Sequence, residues 1–317
     1  MTVKEVFDLR KQGRIEEAYE AIRPMYAVHQ GKYTTLCMFW TASDILKKRI
    51  EEKRISEAEK IFEALLRVLP NIDDKDGKAH SAILHDALRL SDVSQNFKML
   101  DFVASYGVEK LTEADWEGGM STPKEGSGEK PHPLPSTAQR MLTHCFREIQ
   151  QHPDSDHAQK MLPLLQEALR RNPRSKNNQR YMAVVCRITG EREKAAAIYR
   201  QLLVRHHDSY LYAELAELTE DPGQKAALYC RAIRNQRQEK FRTGYRFALA
   251  RLLQGRDNPK AAYELQKCVE ARKSLGYHLT REMQQMLTRL KDVQPATEAQ
   301  QQDFYRRMME KYQIPRF

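Results

Sequence analysis

Apolar residues recur along the chain at the three- and four-residue steps of an amphipathic helix, and runs of β-branched residues typical of strands are missing. In the opening segment, 1–22, Gly13 separates two such helical stretches, and Ala18 and Ile22 follow on one face of the second. A glycine tolerates the positive φ that a tight turn requires, and an alanine lets two helices cross closely. The segment therefore predicts a helix-turn-helix hairpin with its turn at Gly13.

The same spacing of turn residue, small residue and large residue returns later in the chain. It recurs in 53–70, 190–202 and 255–268, and with a shift of one position in 221–233. The positions of this repeat signature, which we expect to be structural, are Gly13, Ala18, Ile22, Ala58, Phe62, Leu65, Pro70, Gly190, Ala195, Tyr199, Leu202, Ala226, Tyr229, Ala261 and Leu265. Chance could give one such match in any helical protein, but several with a turn residue at a fixed offset favour a true repeat.

These segments resemble the tetratricopeptide repeat (TPR), a helix-turn-helix unit of about 34 residues whose pattern includes A-x3-F followed by a proline. The repeats are divergent, because the signature alanines lie 40 (18 to 58), 31 (195 to 226) and 35 (226 to 261) residues apart, and the W-x2-L-G-x2-Y half of the pattern is nowhere intact. The resemblance implies an all-α fold, a right-handed superhelix of TPR-like helix-turn-helix hairpins, or α-solenoid. Such a fold buries a core between neighbouring hairpins and presents a concave surface to a partner.

A stretch rich in glycine and proline, 113–136, interrupts the helical pattern, and its composition cannot bury enough apolar surface to offset the cost of ordering it. We therefore expect N-terminal helical repeats in 1–112, a flexible loop or linker in 113–136, and basic C-terminal helical repeats in 137–293. Capping sequences predict helix starts at Ser136 and Thr297. The final segment, 294–317, is expected to form a capping helix, or to lead into a further module.

Positive charge is concentrated in the second half of the chain. The net charge is +10; residues 1–150 carry 22 Lys and Arg against 24 Asp and Glu, whereas 151–317 carry 31 against 19. The chain begins without a signal-peptide pattern, and no segment is apolar for the length that a membrane span needs. The five cysteines form no CxxC pair, which favours reduced, buried thiols. We expect a cytoplasmic protein without a membrane partner.

Sequence signatures of catalysis are missing from the chain. It contains no phosphate-binding glycine loop, no dinucleotide fingerprint and no nucleophile elbow. His80 and His85 are five residues apart, which does not place them on one helix face as a metal pair requires. We therefore expect a non-enzymatic protein with no cofactor, metal or small-molecule substrate. An enzyme would need a site assembled only in space.

A basic segment with interspersed aromatic residues, 231–246, suggests contact with RNA or DNA. The candidate nucleic-acid patch comprises Arg231, Arg234, Arg237, Lys240, Arg242 and Arg246. Cations that neutralise phosphates beside aromatic rings that stack on bases are typical of such surfaces. Against this hypothesis, Phe241 and Tyr245 precede an apolar helix and fit core positions, and a charged helix face often serves solubility alone.

The TPR resemblance also implies a peptide-binding groove. In this family the first helix of each hairpin lines the concave surface, where Lys, Arg and Asn bind carboxylates of a peptide. Carried over through the register of Gly190, the candidate peptide-groove residues are Asn177, Arg180, Arg187, Tyr210, Glu214 and Glu217. Charge-assisted hydrogen bonds from a rigid helix would position an extended peptide.

Two segments, 132–149 and 177–203, are similar to an uncharacterised group of bacterial TPR proteins associated with mobile conflict (defence) gene clusters. Some members of that group continue into a small nucleic-acid-binding barrel of S1 or cold-shock type. This resemblance implies a role within a bacterial conflict system and names no catalytic residue. The sequence as a whole thus predicts a scaffold for a protein or peptide partner, with RNA or DNA binding by the basic half as the alternative.

Overall fold

The computed structural model of the protein describes residues 1–122 and 130–314, and its internal contacts divide the chain into two compact units, Met1–Pro173 (unit 1) and Arg174–Phe317 (unit 2). In the described residues both units are almost wholly helical, and successive helices pair as hairpins. The predicted all-α class of TPR-like hairpins is confirmed. None of the helices in 1–122 and 130–314 combines the length and the apolar character that crossing a bilayer would demand.

Unit 1 contains nine helices within the described residues. They are α1 (Val3–Lys11), α2 (Ile15–Val28), α3 (Lys32–Glu51), α4 (Ile55–Val68), α5 (Lys78–Val93), α6 (Met99–Tyr106), α7 (Glu113–Trp116), α8 (Thr137–Gln151) and α9 (Ser155–Arg171). Short 3-10 turns follow α4 (Leu69–Asn71) and α6 (Val108–Lys110). Pro70, predicted as a helix stop, lies exposed in the first of these turns, two residues beyond the end of α4.

Unit 2 is a continuous series of helices: α10 (Lys176–Ile188), α11 (Arg192–Leu203), α12 (Ser209–Leu218), α13 (Pro222–Asn235), α14 (Glu239–Leu253), α15 (Asn258–Ser274), α16 (Arg281–Arg289) and α17 (Glu298–Lys311). From α10 to α15 each helix packs against the next, so that three hairpins, α10–α11, α12–α13 and α14–α15, share one core. The first helices of the second and third hairpins, α12 and α14, therefore each lie between two second helices, as stacking of repeats requires.

The apolar positions of the repeat signature form the core as predicted. Ala18, Ala58, Ala195 and Ala261 are completely buried, and the large residue that follows each of them by one turn is at most 3% exposed. Tyr199 and Tyr229 fill the corresponding space in the first two hairpins of unit 2. All five cysteines are buried and free, and burial raises the pKa of the Cys145 and Cys230 thiols.

Helix starts follow the capping sequences. The Ser136 hydroxyl accepts a hydrogen bond from the Gln139 backbone N–H at 3.1 Å, and α8 begins at the next residue. Thr297 and Gln300 form a reciprocal capping box at the start of α17. Asp221 accepts from the Gln224 N–H in the same way.

Four hairpin turns contain a residue with positive φ, at Gly13, Lys53, Gly190 and Gly255, whereas the described turn between α12 and α13 contains none. Gly13 and Gly190 have φ of 78° and 87°, but Lys53 occupies the equivalent place between α3 and α4 with φ of 61°. Left-handed backbone costs a non-glycine residue roughly 1 to 2 kcal/mol. Replacing lysine by glycine here would recover only part of that cost, because glycine loses more backbone entropy on folding than lysine does.

We expect Lys53→Gly to raise the free energy of unfolding by about 0.5 to 1 kcal/mol, because it removes this left-handed strain. Thermal unfolding followed by circular dichroism would measure the gain. Gly13→Ala is the converse variant: a Cβ there meets no atom within 4 Å, so its destabilisation reports backbone strain alone. A lower stability for Lys53→Gly than for the parent would contradict the assignment.

Part of the predicted linker is ordered locally. Within 113–136, α7 precedes a short antiparallel ladder that pairs Gly119 with Leu134 and Met120 with Pro133. Residues 123–129 of the same prediction lie outside the described residues. The contacts divide the chain later than this linker, after Pro173, because α8 packs on α5, α6 and α7 and α9 packs on α6 and α8.

The last described helix, α17, packs into the core of unit 2. Helix α17 packs along α13 and buries Gln301, Tyr305 and Met309. Its Tyr305 hydroxyl and Gln301 amide bond to a carboxylate on α15. The terminal helix therefore ties two hairpins of unit 2 together; the residues 315–317 of the predicted cap lie outside the described part.

Candidate functional site

Three of the predicted groove residues meet on the first helices of consecutive hairpins. Arg180 of α10 grips the Glu214 carboxylate of α12 with Nε–Oε1 and Nε–Oε2 distances of 3.1 and 3.0 Å and an Nη2–Oε1 distance of 2.5 Å. The two residues are 34 apart in sequence, and their ion pair joins the first helices of two adjacent hairpins. The Tyr210 ring centroid lies 4.6 Å from the Arg180 guanidinium carbon, which adds a cation–π contact.

The electrostatics of this cluster favour a fixed ion pair. Burial opposes the charge of Arg180, but the hydrogen bond and attraction from Glu214 outweigh it and raise the Arg180 pKa. Burial raises the pKa of Tyr199, which lies under the pair, and nearby Glu214 raises it further. Each partner side chain is 19% exposed, so the pair is shielded but reachable from solvent. Arg180, Tyr210 and Glu214 therefore form a held polar surface, which we call the Arg180 cluster.

The Arg180 cluster continues onto a third helix. Tyr245 of α14 is half-buried, and its pKa is raised first by burial and also by nearby Glu214. Phe241, one turn earlier on the same helix, is 54% exposed. The sequence pattern favoured core positions for both rings; Tyr245 does pack against the core of unit 2, whereas Phe241 is mostly exposed.

The other three predicted groove residues lie elsewhere on unit 2. Asn177 is exposed in the first turn of α10, and Arg187 is half-buried in its last turn. Glu217 is exposed near the end of α12, where its carboxylate accepts a hydrogen bond from Tyr229. The structure thus brings together half of the predicted set.

The predicted nucleic-acid patch is divided by burial. Its segment is not one helix, because α13 ends at Asn235 and α14 starts at Glu239. Arg231 is 7% exposed and donates to the Ile314 carbonyl at 3.3 Å, and Arg246 is 6% exposed. Arg242 is half-buried against Glu239 and the Gln236 carbonyl. Only three of the six cations are exposed, namely Arg234, Arg237 and Lys240.

Arg246 instead belongs to a buried polar network. It donates from Nη1 to Glu264 Oε2 at 2.8 Å and from Nε to Glu239 Oε1 at 2.6 Å. Glu264 is completely buried and also accepts from Gln301 and Tyr305 of α17. Burial raises the pKa of Glu264, while Arg246 and its other donors act in the opposite direction. The network holds α14, α15 and α17 together and is inaccessible to a ligand.

Unit 1 brings a serine, a histidine and an aspartate together, which the sequence search did not find. Ser91 Oγ lies 2.8 Å from His144 Nδ1, and His144 Nε2 lies 3.4 Å from Asp92 Oδ1. Burial lowers the pKa of His144. However, Ser91 sits in the last turn of α5, where backbone N–H groups are already bonded within the helix and the dipole is negative. That position offers an oxyanion no donors, so we assign no acyl-transfer chemistry to it.

Metal binding has no candidate in 1–122 and 130–314, where no group of three or more His, Cys, Asp or Glu side chains could hold an ion. A half-buried carboxylate of unit 1 has a structural role. The Glu148 carboxylate of α8 accepts from the backbone N–H groups of Met99 and Leu100 at 2.7 and 3.1 Å and so caps α6 from another helix.

Comparison with known protein families matches residues 179–311 to a domain of unknown function, DUF7017. No curated protein matches the chain. The chain is similar to the crystal structure of a tetratricopeptide repeat protein from Parabacteroides merdae ATCC 43184, with 9% identity, a TM-score of 0.37, and 92% of this chain and 97% of that chain covered. It is also similar to the APC/C hetero-tetramer Cut9–Hcn1, with 11% identity, a TM-score of 0.39, and 90% and 48% covered. At these TM-scores the likeness supports no statement about partners.

Proposed function

We propose that the protein is a non-enzymatic scaffold that binds an extended segment of a partner protein along the first helices of the hairpins in unit 2. The observation that supports this most directly is the Arg180 cluster. Its ion pair joins the first helices of adjacent hairpins, Tyr210 and Tyr245 lie beside it, and Phe241 precedes Tyr245 by one turn on α14. Aromatic and arginine side chains held in place are the groups that contribute most to protein interfaces.

The rigidity of the Arg180 cluster matters for affinity. Because the guanidinium is already fixed by Glu214 and the Tyr210 ring, a partner would not bear the full cost of immobilising a long side chain. The Tyr210 hydroxyl and the free edges of the carboxylate can then bond to a peptide backbone. In a bacterial conflict system, as the family resemblance implies, the partner would be another component of that system.

Binding of RNA or DNA by the second half is the alternative. With Arg231 and Arg246 buried, that function would depend on Arg234, Arg237 and Lys240. Carboxylates of Glu214, Glu217 and Glu239 lie among these cations or on the neighbouring helices. Glu214 and Glu239 pair with arginines of the same surface and so reduce its positive charge, and this mixed charge favours a peptide over a phosphate backbone.

The proposal is tested by selecting binders from a random dodecapeptide display library on the full chain. We expect selected peptides to lose at least about tenfold in affinity with Tyr210→Ala or Arg180→Ala, because truncating an interface anchor costs more than 1 kcal/mol. Fluorescence anisotropy would measure the affinities. Arg256→Ala is the matched control, since Arg256 is exposed in the turn between α14 and α15. Two results would overturn the proposal: selected peptides whose affinity is unchanged by both cluster variants, or a selection that enriches no peptide above background.

A further inference from the structure

Unit 2 contains a polar cavity beside the Arg180 cluster, formed by two turns that each connect one hairpin to the next. Its volume is about 570 Å³. One wall is the turn between α11 and α12, with Arg205, His206 and Asp208, and the other is the turn between α13 and α14, with Arg237. Tyr210 lines the cavity as well, so the cavity opens onto the row of groove residues.

The two turns are tied to each other by hydrogen bonds. Asn235 Nδ2 donates to the His207 carbonyl at 2.8 Å, and Gln236 Nε2 donates to Ser209 Oγ at 3.3 Å. The Gln236 carbonyl accepts in turn from Arg242 Nε at 2.5 Å. The walls of the cavity are therefore fixed before any ligand binds, which lowers the cost of binding.

The charge of the cavity is positive. Arg205 and Arg237 are exposed, and within the described residues neither forms an ion pair. The carboxylate of the cavity, Asp208, is already neutralised by Lys176 Nζ at 3.0 Å. Each guanidinium can donate two parallel hydrogen bonds, and neither is paired with a carboxylate within the described residues. Two such groups in one fixed cavity therefore suit an anion with two acceptor oxygens.

We propose that this cavity, the turn pocket, binds an acidic side chain of a peptide that lies along the Arg180 cluster. The inference rests on the proposed function, since the peptide must occupy the adjacent row. A carboxylate is favoured over a nucleic-acid backbone because Arg205 and Arg237 line one small cavity, whereas Glu214 and Glu239 on the neighbouring helices interrupt the positive charge that a longer phosphate backbone would follow. The partner is therefore a peptide segment whose acidic residues, at one end, occupy the turn pocket. The rest of the segment, which lies along the Arg180 cluster, contains polar or aromatic residues.

The test compares peptides selected on three forms of the full chain: the natural chain, Arg205→Glu with Arg237→Glu, and the control Arg256→Glu with Arg289→Glu. The control changes the net charge equally at exposed residues away from the pocket, one in the turn between α14 and α15 and one on α16. We expect Asp and Glu to be enriched on the natural chain and the control, and to give way to Lys and Arg on the pocket variant. Individual acidic peptides should bind the pocket variant at least about tenfold more weakly.

The outcomes separate the two proposals. Peptides that depend on Tyr210 and Arg180 but keep their acidic residues on the pocket variant would overturn the turn pocket and leave the scaffold proposal standing. Acidic enrichment lost equally in the control would show general attraction to a basic surface and overturn the pocket. A single-stranded RNA that binds with a steep salt dependence between about 50 and 200 mM, and is lost in the pocket variant, would assign these arginines to nucleic acid instead.

Discussion

Glu264→Ala is expected to lower the free energy of unfolding of unit 2 by about 3 to 5 kcal/mol, the cost of leaving a buried charge without its partner. The carboxylate accepts from Arg246, Gln301 and Tyr305, and it is completely buried. After its removal, Arg246 retains only the partly exposed Glu239 as a counter-charge. Two donors on α17 also lose their acceptor, so the helix should detach first.

Urea denaturation followed by circular dichroism would measure this loss, and hydrogen exchange would show whether α17 opens first. Glu270→Ala is the control on the same helix, because Glu270 makes exposed contacts with Lys267 and Gln266 and its loss should change stability by less than about 1 kcal/mol. A Glu264→Ala protein as stable as that control would contradict the buried network.

A second variant identifies the physical cause. Replacing Arg246 by Met, Glu264 by Leu and Tyr305 by Phe together removes both charges and the hydroxyl donor. We expect it to regain much of the stability lost in Glu264→Ala, since apolar replacements of a buried ion pair are often neutral or stabilising. Equal losses in the single and triple variants would show that packing, and not the unpaired charge, sets the cost.

Features that depend on neighbours in sequence were predictable. The capping at Ser136 and Thr297 involves residues three apart, and the turns at Gly13 and Gly190 involve one backbone conformation. The spacing from Ala195 to Tyr199 reflects one helical turn. Each of these features depends on residues within a few positions of one another, so the sequence of a single chain is enough to predict it.

Features that depend on distant partners were not predictable. Arg246 has the spacing of a surface cation, and only the fold shows that Glu264 and Tyr305, 18 and 59 residues away, surround it. The turn pocket likewise joins Arg205 to Arg237 through two turns in different hairpins. The paired strands at Gly119–Met120 and Pro133–Leu134 span two residues each, too few for a period-two pattern to emerge.

The sequence could assign candidate groove residues to the first helices of the hairpins, but it could not show in which direction each side chain points. Arg180 and Glu214 were both assigned to first helices, and the structure pairs them across two adjacent hairpins. Tyr245 packs against the core of unit 2 and also lies near this ion pair, because an aromatic ring at the edge of a helix face can contact both.

Tyr199→Ala is expected to lower the free energy of unfolding by about 3 to 5 kcal/mol, comparable with the Glu264 variant, because it empties a large space in the core of unit 2. Tyr199 is completely buried on α11, one turn after Ala195, where the small residue lets the helices approach and the ring fills the gap they leave. Neighbouring helices can close such a gap only by moving the hairpins, so the cavity term should be near the upper end of its range.

Two further variants distinguish the contribution of the buried ring from that of the hydroxyl and from that of an exposed ring. Tyr199→Phe keeps the ring and should change stability by no more than about 1 kcal/mol, because the buried Tyr199 hydroxyl that it removes has no hydrogen-bond partner within the described residues. Phe241→Ala removes an equally large ring that is 54% exposed, and should be close to neutral. Urea denaturation of the three proteins would decide the point: if Tyr199→Ala cost no more than Phe241→Ala, the small-then-large signature would not be what joins the hairpins, and the stacking of repeats in unit 2 would need another origin.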